Sequence, residues 1–168
     1  MGSRRRGRAI ALQILCAMER QPDLTVDQAI GLYFRHLAAS AGAGSDDSDL
    51  GDDDLDLAGG DAGTPAGGES ADYRRFSEDL VRGVKDALGE LDELLARCSR
   101  NWRLERMSWV DRNLLRLASY ELSRRSDTPA RVAINEAIEV AKRYGTTESP
   151  AFINGVLDRV LGELGRTA

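Results

Sequence analysis

The chain has one histidine, His36, and two cysteines, Cys16 and Cys98, in 168 residues. A single imidazole supplies too few parts for a His-based triad or a multi-His metal centre. The cysteines are far apart and form no CxxC, which argues against a zinc site or a disulfide framework. Both are expected to be reduced and to behave as small hydrophobes. Phosphate-binding loops of the GxxxxGK[ST] type and GxGxxG turns after a strand are also missing. Close carboxylates such as Asp52 to Asp54 fall where nothing would hold their geometry. No enzyme, cofactor or metal centre is expected. There is no apolar run of eighteen residues, so no membrane span is expected. The basic start is not followed by an apolar stretch and a cleavage site, so a cytoplasmic location is expected.

Charge is unevenly placed. The formal net charge is −5, yet residues 41–72 hold ten acids and neither Lys nor Arg, which leaves the remaining chain at +5. That stretch also has eight glycines, with only Leu50, Leu55 and Leu57 as large apolar groups. It cannot bury enough surface to offset the entropy of ordering it, and reads as a disordered acidic insert. Such an insert is either inert or an electrostatic competitor for the basic start. Within residues 1–20, five arginines stand against one acid. The cluster Arg4, Arg5, Arg6 and Arg8 suits either solvated charge or phosphate contact, since guanidinium forks match phosphate oxygens. Arg8 is placed on the first turn of a helix, with Arg4 to Arg6 on a flexible arm.

The rest reads as helix, in one domain, with no strand and no repeat. Ile10, Ile14 and Ala17, beside Ala11, Leu15 and Met18, mark an amphipathic helix stopped by Pro22. Thr25 caps a second, in which Val26, Ala29, Ile30, Tyr33, Phe34 and Leu37 face inward and His36 lies beside them. Order returns at Tyr73, and leucine and valine rows run to about residue 87 and again from 90 to 99. Gly83 and Gly89 allow a close approach or a break. Trp102 and Leu104 are expected to plug the core from a short connector. Ser108 caps a long helix that runs to Arg124, ended by Asp127, Thr128 and Pro129.

Residues 131–158 form a helical hairpin. Val132, Ala133, Ala137, Val140, Ala141 and Tyr144 share one face, which Ile134 and Ile138 widen. Gly145 is placed as a left-handed C-cap, then Ser149-Pro150 as a hydroxyl cap followed by a first-turn proline. Two features do not follow from packing alone. Asn135-Glu136 either satisfies neighbouring backbone ends or serves function. Asn154-Gly155 either permits a close helix crossing or serves function, and Phe152 is either core or an aromatic platform at the surface.

The run Tyr120-Glu121-Leu122, Pro129, Val132 to Ala137, Ala141-Lys142 and Phe152 to Asp158 resembles the NusB family of bacterial transcription antitermination factors. Leu80 to Val84 resembles it too. The resemblance covers about the last ninety residues closely and the first forty loosely. It implies an all-α bundle of about seven helices. It further implies binding of single-stranded boxA RNA jointly with NusE, a small-subunit ribosomal protein, within an RNA polymerase elongation complex that carries other Nus factors. On that reading Arg4, Arg5, Arg6 and Arg8 meet RNA phosphates, Phe152 stands where the family presents its RNA-facing aromatic with Glu148 and Asn154 nearby, and by family position Gln13 is a polar contact. Glu105, Asp111 and Arg112 resemble a charged region used for RNA or NusE contact. The chain departs from the family where aromatics are common near the end of the first helix, since Cys16 and Met18 stand there. A rival reading is a helical protein-interaction module without RNA recognition, akin to the domain that precedes some ribosomal RNA cytosine methyltransferases.

Overall fold

The structure, a computed structural model, describes residues 2–42 and 67–166. Its elements are α1 Ser3–Arg20, α2 Val26–Gly42, α3 Gly67–Asp86, α4 Leu88–Cys98, α5 Trp109–Arg124, α6 Ala130–Tyr144 and α7 Ser149–Glu163, with one 3-10 turn at Leu104–Arg106. Among the described residues there is no strand, and no helix is long and apolar enough to cross a membrane. The expected insert ran from 41 to 72. Its two ends are helical, as the last residues of α2 and the first six of α3, and residues 43–66 lie outside the described part.

The centre of the bundle is shared by α1 and α5. In α1, Gly7 to Leu12 are buried without a break, which a surface helix with one apolar stripe does not show. The neighbours of α1 are α2, α3, α5 and α6, with α3 the most extensive. Ile10, Leu12 and Ile14 meet Leu80 and Val84 of α3, Leu114 and Leu117 of α5, and Ile153 and Leu157 of α7 in one core. Each such side chain contributes about 1.5–3 kcal/mol by leaving water.

Local chemistry sets several ends. Thr25 Oγ1 accepts from Gln28 N at 3.2 Å while Gln28 Oε1 accepts from Thr25 N at 2.9 Å, a reciprocal cap at the start of α2. Ser108 Oγ accepts from Asp111 N at 3.0 Å and starts α5. Other expectations fail. Gly145 has φ −95 and ψ −171, extended and not left-handed. Glycine is needed there for space, because an added Cβ would stand 2.6 Å from Ser149 Oγ. Ser149 does not cap α7. It lies inside the helix, and its Oγ accepts from Thr146 N at 2.9 Å to close the turn. Trp102 does not plug the core; it is 53% exposed. The connector lacks helical periodicity, so nothing obliged a large apolar residue there to face inward. Val132, assigned to the inner face of α6, is 45% exposed. Gly155 makes no close crossing, since a Cβ there would meet open space.

The close crossing is at Gly83, where a Cβ would overlap the ring carbon Cζ and hydroxyl of Tyr120 on α5. Helix propensity alone favours alanine at this position by about 1 kcal/mol. The rigid ring reverses the sign. Gly83→Ala is expected to destabilise by about 1–2 kcal/mol net in chemical denaturation, and the loss should vanish in a Tyr120→Leu background.

Candidate nucleic-acid interface

The arginines at the chain start are not on an arm. With α1 beginning at Ser3, Arg4, Arg5 and Arg6 are helical, and successive positions turn in different directions. Arg4 is exposed, 3.5 Å from Asp127, and its guanidinium lies 5.7 Å from the centre of the Phe76 ring. Arg5 grips Glu136 of α6 with two bonds, Nε to Oε2 at 2.8 Å and Nη2 to Oε1 at 2.7 Å. Arg6 stacks over Tyr73 at 4.3 Å. Arg8 differs in kind. It is 3% exposed and donates Nε and Nη2 to the two oxygens of Glu121 on α5 at 2.8 and 2.6 Å. Its guanidinium also lies 5.2 Å from the Phe76 ring. Arg8 is thus a buried strut, while Arg4 to Arg6 offer cationic surface above it.

The helix pair α1 and α6 extends this surface. Arg5 meets Glu136, and eight residues further along each helix Gln13 Nε2 donates to Tyr144 Oη at 3.2 Å. The constant offset means that the two helices run parallel. Eight residues advance about 12 Å, so the strip leads from the arginine tip to the start of α7. Gln13 also accepts from Tyr33 Oη at 2.9 Å, which fixes its amide between two phenols. Burial pushes the Tyr33 hydroxyl up to about 12. At the α7 start, Glu148 is exposed, Asn154 lies on the outer face, and Phe152 is half-buried at the margin of the core. Asn135 is exposed, so of the pair Asn135-Glu136 it is the acid that makes the contact, binding α1 arginines and not backbone ends.

The second charged region has a different construction. Arg112 donates twice to Glu19, at 3.0 Å each, and to the carbonyls of Leu104 and Met107 at 2.8 and 3.3 Å. Arg116 bridges Glu19 at 2.8 Å and both oxygens of Asp92 at 2.7 and 2.8 Å. Asn113 adds a bond to Glu19 at 3.0 Å. This network ties the α4–α5 connector to the C-terminal end of α1. Glu105 is exposed, and Asp111, in the first turn of α5, buries one carboxylate oxygen without a hydrogen-bond partner. Cys16 Sγ lies 3.6 Å from the carbonyl of Trp109, and burial pushes its thiol up to about 11. Cys98 is a free buried thiol, and the described residues contain no cluster suited to a metal ion.

Several carboxylates in these networks sit below their ordinary values. The hydrogen bond from Arg5 lowers Glu136, and that from Arg125 lowers Asp127. At Glu19 burial pushes up, but Arg112 and Arg116 together pull the group lower. Such groups bind fewer protons folded than unfolded, so they stabilise above the unfolded value and lose that contribution as pH falls. Thermal stability is therefore expected to hold from pH 7 to about 5 and to fall as pH drops through and below the ordinary glutamate value of 4.5. Glu136→Gln should make that fall shallower in scanning calorimetry.

Comparison with known proteins adds a family. The model of the NusB family matches residues 60–162. The transcription antitermination protein NusB of Geobacter sulfurreducens is 42% identical over 164 residues, which cover 98% of this chain and 97% of that protein. The structure of T. maritima NusB is 33% identical, with a TM-score of 0.68 over 95% of this chain and 91% of that one. At 17% identity, NusB in a complex of antitermination factors NusB and NusE with double-stranded RNA shares the fold, with a TM-score of 0.66 over 96% and 97% of the two chains.

Proposed function

Because this chain belongs to the NusB family, we propose that it acts in transcription antitermination by binding single-stranded boxA-type RNA together with NusE. It does so as a binding protein and not as a catalyst, in the cytoplasm, on the RNA polymerase elongation complex with other Nus factors. The observation that carries this reading is the end of α1, where Arg4, Arg5 and Arg6 present cations from a helix held down by buried Arg8. Phosphates of an extended strand meet these cations, and bases lie along the α1–α6 strip toward α7. Phe152, at the margin of the core, offers a ring face for stacking, with Glu148 and Asn154 as edge readers. Gln13, held between Tyr33 and Tyr144, contributes through that pair of phenols. Glu105, Asp111 and Arg112 belong to the NusE-facing side, where Arg112 shapes the surface by holding the connector.

The test is a fluorescence anisotropy titration of labelled boxA RNA and a scrambled control, with and without NusE, at several salt concentrations. The expected result is weak binding alone, tighter binding with NusE, a preference for boxA, and affinity that falls as salt rises. Phe152→Ala should reduce the preference about tenfold, in line with the loss of one stacked base. Equal affinity for both RNAs, unchanged by NusE, would leave a protein-interaction module in place of an RNA reader.

A further inference from the structure

From the last turn of α4 through the connector to α5, arginines stand at every third position: Arg97, Arg100, Arg103 and Arg106. All four are exposed. Arg97 pairs with Glu163 at 3.2 Å, but the side chains of Arg100, Arg103 and Arg106 make no hydrogen bond or ion pair among the described residues. Arg35, Arg75 and Arg131 are likewise exposed without a carboxylate, but none of them stands beside another unpaired arginine in the chain, whereas these three recur within seven residues. In the middle of the unpaired arginines stands Trp102, the most exposed large apolar side chain described. The other tryptophan, Trp109, is also exposed, and the Arg20 guanidinium lies 5.2 Å from its ring. At the start of the connector a cavity of about 410 Å³ is lined by Arg97, Cys98, Arg100, Asn101, Arg159 and Glu163. Its three guanidiniums against one carboxylate leave an excess of positive charge.

We propose that this connector is a second contact surface for single-stranded RNA. Arg100, Arg103 and Arg106 take successive phosphates, Trp102 stacks on a base, and the cavity takes a further phosphate. Unpaired cations interleaved with an exposed ring are the arrangement that holds an extended strand without reading its sequence. Glu105, between Arg103 and Arg106, borders the side proposed for NusE, so a protein partner is the competing outcome of the test. The surface is separate from the first one. The Glu19–Arg112 contact places the connector at the C-terminal end of α1, whereas Arg4 to Arg6 occupy the other end. Eighteen helical residues separate the two ends by about 27 Å. RNA must therefore extend beyond the first site to reach the second. The proposal rests on the RNA-binding reading for its ligand class, but its test is separable.

A boxA core of about six nucleotides, at about 3.4 Å each, falls short of the second surface. The experiment compares this core with the same core extended by oligo(U) at either end, using the full chain and the variant Arg100→Gln/Arg103→Gln/Arg106→Gln, each with and without NusE. One extended RNA is expected to bind about tenfold more tightly than the core. The triple variant should abolish that gain, keep the affinity for the core, and lower the salt slope by about 2, at roughly 0.7 per phosphate. Trp109→Phe leaves Trp102 as the sole indole, and oligo(U) alone should quench its fluorescence. A gain that is absent, or that survives in the triple variant, overturns the proposal. So does a triple variant that loses only NusE binding. If the core fails to bind at all, the family-based reading fails, and oligo(U) quenching of Trp102 still decides this one: quenching supports it and its absence refutes it.

Discussion

Arg8→Ala is expected to lower the stability of the folded chain by about 3–5 kcal/mol, the cost of removing one partner from a buried ion pair. For a domain of this length that corresponds to a fall in melting temperature of about 10 °C or more. Glu121 is 1% exposed and receives both of its guanidinium bonds from Arg8. Alanine leaves that carboxylate in the core without its cation. The ring of Phe76 loses one of its covering guanidiniums as well, although Arg4 and Arg125 remain near it. The pair itself adds little net stability, because desolvating two charges offsets most of their attraction. Arg8→Met/Glu121→Leu should therefore be far more stable than Arg8→Ala alone and close to the unaltered chain. Calorimetry on the three variants checks this. A loss below about 1 kcal/mol for Arg8→Ala would show that the pair is not buried in solution.

The second large effect concerns binding. Replacing Arg4, Arg5 and Arg6 together with glutamine is expected to weaken RNA binding about a hundredfold at 0.1 M salt. Three phosphate contacts on a single strand release roughly 0.7 counterions each, and at tenth-molar salt that exponent of about 2 is worth two decades. The log–log salt slope should fall by the same amount, about 2. Stability should change little, because the partners being lost, Asp127, Glu136 and the face of Tyr73, lie near the surface, where each pair contributes at most about 1 kcal/mol. Arg8→Ala gives the opposite pattern, loss of fold before loss of contact. Affinity within threefold of the unaltered chain, at low salt, would refute the assignment of these three residues.

Those two variants mark where the sequence is readable and where it is not. Helix starts at Thr25 and Ser108 are legible because their chemistry is local: a hydroxyl three residues ahead of a free N–H needs no distant information. The inner faces are legible too, since Ala133, Ala137, Val140 and Ala141 repeat with the helical period and are buried. In the sequence Arg8 reads like its neighbours, as solvated charge or a phosphate contact, because a cluster of like residues invites one role for all. Its true environment depends on Glu121, 113 residues away. A clue was present: Glu121 follows Leu114 and Leu117 on one face of α5, and an acid on a buried face requires a cation. Trp102 and Val132 were misplaced for a related reason. Hydrophobicity places a residue only where periodicity fixes the direction, and neither the connector nor the first turn of α6 does so.

The central position of α1 also has a consequence for synthesis. This helix is synthesised before the helices that hold it, and its struts reach Glu121 and Glu136, 113 and 131 residues downstream. At 5–20 residues per second, translation takes roughly 6 to 26 seconds to cover that distance. Until then a helix with nine buried residues can bed only against α2 and α3, and its flanks toward α5 and α6 are open to chaperones or to other nascent chains. The bundle can therefore close around α1 only after α5 and α6 have been made.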